Sequence, residues 1–86
     1  MHSKVTSNFW KLFNDLPENV QNLAVKNDDI WRENPLHPSL HFKNIKNNLF
    51  SIRIGLFYRA LGYFDKETNT ITWTWIGTQG TYDKKI

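Results

Sequence analysis

The sequence predicts an α+β fold, with an N-terminal helical hairpin packed on one face of a roughly four-stranded antiparallel sheet. Three observations carry this. Apolar residues recur at helical spacing up to Asn34. After Pro38 the period changes to two. The connections between the period-two runs are short, which implies antiparallel neighbours. The 86 residues allow a single domain, 1–86. With no cysteine to staple it, the domain must rely on one well-packed core or on a partner.

Met1 to Lys4 shows no periodicity and reads as a frayed end or a short edge strand. Thr6 and Ser7 are good N-cap residues. Phe9, Trp10, Leu12, Phe13 and Leu16 follow at helical spacing, giving a first helix that ends near Leu16. Pro17 suits the first turn of a second helix, with Glu18 at the positive end of its dipole. Val20, Leu23, Ala24, Ile30 and Trp31 form its apolar stripe. Asn34-Pro35 stops it, because a residue before proline disfavours the α region. Leu40 to Ile45 and Leu49 to Ile54 alternate apolar and polar, with Asn47-Asn48 as the turn between them. Phe57 to Phe64 is a third strand, Asp65 to Asn69 a polar turn, and Thr70 to Ile76 a fourth strand. Gly77 to Tyr82 reads as a loop. At alternating strand positions Trp73 and Trp75 share a face, and both read as core.

Composition narrows the function. Hydrophobic residues are 40% of the chain, too many for a disordered tail. The mean hydropathy of −0.58 and the lack of a long apolar run exclude a helical membrane span. No charged segment followed by an apolar one opens the chain, so no signal peptide is expected. The absence of cysteine fits a reducing cytoplasm and removes thiol chemistry and thiolate-bound zinc. His37 and His41 stand four apart, but Pro38 between them breaks the helical geometry a shared metal needs, so neither metal nor other cofactor is expected.

Charge is segregated along the chain. Residues 1–34 carry four Lys/Arg against five Asp/Glu, a net −1. Residues 35–86 carry seven against three, a net +4, and no acidic residue occurs from Pro35 to Phe64. A one-signed surface favours a polyanion, either nucleic acid or an acidic protein segment. Lys43, Arg53 and Arg59 sit in or beside strands, where they would form a fixed positive surface. Such cations stabilise the charge that develops during phosphoryl transfer. RNA brings its own nucleophile, the 2′-hydroxyl, so the remaining needs are a proton acceptor and a proton donor. Arginine serves poorly as either. Tyr82, His41 or a lysine of lowered pKa is left for that task.

Several segments together resemble the RelE/ParE toxin superfamily. They are Thr6-Ser7-Asn8-Phe9-Trp10, Leu16-Pro17-Glu18-Asn19-Val20-Gln21, Asn34 to Lys43, Ser51-Ile52-Arg53, Tyr58-Arg59-Ala60-Leu61-Gly62, and Trp75-Ile76-Gly77 with Tyr82-Asp83. The resemblance spans nearly the whole chain. It implies a toxin of a type II toxin–antitoxin system: a metal-independent endoribonuclease that cleaves mRNA, often on the ribosome, and is held inactive by a cognate antitoxin. It implies Arg53, Arg59 and Tyr82 as catalytic residues, and Lys43, Lys46 and Gln79 as contacts to RNA. Gln79 stands where related toxins carry His or Arg, and glutamine cannot shuttle a proton. The ParE side of the superfamily inhibits DNA gyrase without nuclease residues. A ParE-like inhibitor, or a decayed toxin that only binds its antitoxin, therefore stays open as an alternative.

Overall fold

The computed structural model describes residues 1–86. The elements run β1 (His2–Val5), α1 (Ser7–Asn14), α2 (Glu18–Glu33), a 3-10 turn (Pro38–Leu40), β2 (Lys43–Lys46), β3 (Leu49–Ile54), β4 (Tyr58–Asp65), β5 (Thr70–Thr78) and α3 (Gln79–Lys85). No helix is long and apolar enough to cross a membrane.

The α+β class holds, but the sheet differs from the expected one. It has five strands in the order β1-β5-β4-β3-β2, not four, and it is mixed. The extra strand is β1, which joins β5 in parallel from His2 opposite Thr70 to Val5 opposite Trp73. The other pairings are antiparallel. One edge of the sheet is β2, whose sequence Lys-Asn-Ile-Lys places charge where an unpaired ladder could recruit another chain.

The two long helices do not form the expected N-terminal hairpin. A strand precedes them, and each docks on the sheet: α1 against β5, and α2 against β3 and β1. Asp28 explains much of this. One carboxylate oxygen accepts from Trp73 Nε1 at 2.9 Å, and the other accepts from Ser3 Oγ at 2.9 Å. The same oxygen lies 3.3 Å from Arg32 Nε. One α2 side chain thus ties β1 and β5 together. Asn27 beside it is buried, and its Nδ2 donates to the Arg53 carbonyl at 2.8 Å.

Between helices and sheet lies the main core, with Phe9, Ala24, Trp31, Ile52, Ile54, Ile71, Trp73 and Ile76. Trp31 is fully buried at its centre, edge-on to Phe42, Phe64 and Trp73 at 5.8–6.0 Å. A second, smaller cluster occupies the opposite face: Leu49, Leu61, Trp75 and Tyr82.

Trp73 and Trp75 are both core, but they do not share a face. Gly62 pairs with Trp73 and Leu61 with Trp75, so Thr74 is an extra residue in β5. This bulge reverses the alternation and sends Trp75 to the far side of the sheet. The expected loop at Gly77 to Tyr82 is also replaced. β5 continues to Thr78, whose side chain caps α3 by accepting from Thr81 N–H. Gly77 is a strand residue because the Trp75 ring lies over it: a Cβ there would stand 2.6 Å from Cζ2.

Candidate functional site

The face of the sheet opposite α1 and α2 carries the basic strand residues. Ile52 and Ile54 point to the main core, so Ser51 and Arg53 point the other way. Across the ladder, Lys43 pairs with Ser51, Ser51 with Leu61, and Leu61 with Trp75. In the next row Arg53 pairs with Arg59 and Arg59 with Gly77. The α3 helix folds back onto this face and places Tyr82 over the sheet.

These elements enclose a cavity of about 310 Å³ lined by His41, Lys43, Arg59, Gln79, Tyr82, Asp83 and Ile86. Four of the six expected site residues therefore meet there: Lys43, Arg59, Gln79 and Tyr82. The other two lie apart. Lys46 lines a larger groove of about 560 Å³ with Leu49, Trp75 and Lys85. A bulge at Ile45 shifts the β2 register, so that Lys43 stands opposite Ser51 and Lys46 opposite Leu49, on the same face but farther along the strand. Arg53 lines a cavity of about 530 Å³ with Lys26, Asn27 and Gly55. Its Nε donates to the Gly55 carbonyl at 3.0 Å, which draws the guanidinium toward the hairpin end.

Arg59 is the most constrained cation. Its Cζ lies 5.6 Å from the centroid of the Tyr82 ring. Its Nε is buried and has no hydrogen-bond partner. A buried donor without a partner is costly, more so in a charged group. Neither Arg59, Arg53 nor Lys43 forms an ion pair, since Arg32 makes the ion pairs of this chain, with Asp28 and Asp29. The cavity therefore presents the unpaired positive charge of Arg59 and Lys43, with the Asp83 carboxylate also in its lining.

Tyr82 holds that charge in place. The residue is 5% exposed, and its hydroxyl donates to Ser51 Oγ at 3.2 Å. Ser51 is itself fully buried. The ring turns a face toward Arg59 and packs 6.5 Å from the Trp75 centroid. The phenol oxygen thus points into the sheet, away from any molecule in the cavity.

Gln79 opens α3 at the rim. Its backbone N–H donates to the Phe57 carbonyl at 2.8 Å, and its side chain is exposed. His41 joins the cavity from the end of the 3-10 turn. Its ring Nε2 lies 3.3 Å from Arg53 Nη1, linking the two arginine sites.

No protein-family model matches the sequence, and no curated protein does. Solved structures do match in fold. The RelBE2 toxin–antitoxin complex of Mycobacterium tuberculosis aligns with TM-score 0.72 at 24% identity, covering 91% of this chain and 96% of that one. The isolated RelE toxin of E. coli aligns with TM-score 0.70 at 14% identity, covering 98% and 93%. A YoeB/ParE toxin from Agrobacterium tumefaciens aligns with TM-score 0.74 at 10% identity, covering 92% and 99%. The fold of this chain is that of the RelE/ParE toxin superfamily.

Proposed function

We propose that this chain is the toxin of a type II toxin–antitoxin pair, an endoribonuclease that cuts mRNA in association with the ribosome and is silenced by a cognate antitoxin. The observation that carries the reading is Arg59: a half-buried residue whose Nε is buried and unpartnered, beside Lys43, in an open cavity free of ion pairs. Such a site suits a phosphodiester. Preorganised cations meet the charge of the pentavalent phosphorus without rearranging as it forms. Arg59 binds the scissile phosphate, Lys43 a backbone phosphate, and Gln79 hydrogen-bonds a phosphate or a base at the rim. Tyr82 keeps Arg59 in position. Arg53 serves from the adjoining cavity, and Lys46 extends the basic track along β2. The antitoxin partner is supported by the RelB–RelE complexes of Pyrococcus horikoshii and Methanococcus jannaschii, which share this fold.

A second reading has its own observation. Leu56 and Phe57 at the β3–β4 turn are 66% and 71% exposed. An apolar tip of this kind suits a protein target, such as DNA gyrase. Induced expression separates the two. The nuclease reading expects translation to stop and new transcript ends to appear, with Arg59→Ala abolishing both. Intact transcripts together with supercoiling-defective DNA establish the gyrase reading instead.

A further inference from the structure

The cavity holds cations in plenty, and the Tyr82 hydroxyl is turned away from it. His41 is in a different situation. It ends the 3-10 turn with φ of 46°, in the left-handed region. Histidine is, after glycine, among the residues enriched in this region. The imidazole lines the Arg59 cavity while its Nε2 lies 3.3 Å from Arg53 Nη1. A guanidinium can only donate, so Nε2 accepts and its lone pair is occupied.

We propose that His41 is the proton acceptor of this site, and that Arg53 masks it until a phosphate draws the guanidinium away. The proposal rests on the nuclease reading. With Arg53 engaged by a phosphate, Nε2 takes the proton of the 2′-hydroxyl. The 2′-oxygen bonds to the adjacent phosphorus, and the bond from phosphorus to the 5′-oxygen breaks. The departing oxygen takes a proton from water in the open cavity, and the imidazolium returns its own to solvent. The products are a 2′,3′-cyclic phosphate and a 5′-hydroxyl. Substrate binding and base activation become one event, so the unloaded protein holds no free base. The charged and titratable groups around the imidazole are Arg53 from β3, Arg59 from β4, Lys43 from β2, and Tyr82 and Asp83 from α3.

His41→Gly tests this directly, because glycine accepts the left-handed backbone and leaves the fold intact. Cleavage of an oligoribonucleotide should fall about a hundredfold or more. Free imidazole should restore a substantial part of it, which no structural role of the ring explains. Cleavage at the wild-type rate, or a loss that imidazole does not restore, overturns the proposal. Nitrogen NMR of His41 in the whole chain gives a readout independent of turnover. An oligonucleotide made uncleavable by 2′-deoxy substitution should shift the Nε2 signal in wild type but not in Arg53→Gln. A wild-type chain that cleaves no RNA defeats the nuclease reading itself. The nitrogen signal then still decides the coupling between Arg53 and His41: it stands if the signal shifts and falls if it does not.

Discussion

Arg53 and Arg59 face each other directly across β3 and β4, yet their guanidinium groups part company. Like charges opposite one another destabilise a sheet. Here each takes a separate partner: Arg53 the Gly55 carbonyl and the His41 ring, Arg59 the face of Tyr82. The pair yields two anchored cations in adjoining cavities, and a chain of phosphates can occupy both.

The two arginines should therefore differ under substitution. Arg59→Ala removes the half-buried cation from the Tyr82 cavity, and RNA cleavage should fall a hundredfold or more, as for loss of one preorganised donor at a reacting centre. Arg59→Lys should recover little, because a point charge on a flexible stem neither stacks on the ring nor presents a planar fork. Initial rates on one oligoribonucleotide, with equal thermal midpoints for all variants, check this. Equal rates for Arg59→Lys and wild type would refute the geometric role.

Tyr82→Phe should leave cleavage within a few-fold of wild type. The hydroxyl serves the fold: its loss strips the fully buried Ser51 of its partner and should cost about 1–2 kcal/mol in urea unfolding. Tyr82→Ala also removes the ring under Arg59 and should lower both stability and rate. A severe rate loss in Tyr82→Phe with stability unchanged would return the proton to Tyr82.

Gln79→His places an imidazole at the rim of the Arg59 cavity. With His41 already taking the proton, the rate should stay within a few-fold of the parent; a rise with a new pH dependence between roughly pH 5 and 8, where an unperturbed histidine changes charge, would move proton transfer to the rim. A pH–rate profile of variant and parent is the measurement. Identical profiles show that the rim position takes no part in proton transfer.

Asp28→Ala should cost about 2–3 kcal/mol without touching RNA contacts, since it orphans Trp73 Nε1 in the core and frees Ser3. Equilibrium unfolding gives the number, and RNA binding measured well below the midpoint should be unchanged. A variant as stable as wild type would deny that Asp28 ties α2 to the sheet.

Much of this architecture is legible in the sequence because local period encodes it. The two helices, the Asn47-Asn48 turn and strands β3 to β5 follow from spacing alone. What escapes has no local signature. β1 stays undecided between a frayed end and the short edge strand it proves to be, because it is half-exposed and depends on a partner far along the chain. The Thr74 bulge is a property of a pair of strands, so alternation within β5 places Trp75 on the wrong face. Gly77 and Gly80 look like breakers, whereas one admits a tryptophan ring and the other sits in a capped helix. For the site, strand position picks out Lys43 and Arg59, whereas Tyr82 is reached through the need for a proton carrier and Gln79 through the family resemblance alone. Parity says nothing of where a long side chain ends, so Arg53 and Lys46 fall in neighbouring cavities. Asn27 and Asp28 are missed although a signal exists: they continue the Ala24 to Trp31 stripe of α2, where polar residues must have partners.

The parallel pairing of His2–Val5 with Thr70–Trp73 also sets a timetable for the chain's birth. His2–Val5 must wait for Thr70–Trp73, far along the chain, before it is hydrogen-bonded in the sheet. Closing so long a loop is entropically late, and such non-local pairing slows folding. The helix that carries Tyr82 follows the same final strand, so the seat of Arg59 is completed only then. The cavity around Arg59 is therefore assembled only once Thr70 to Lys85 are in place.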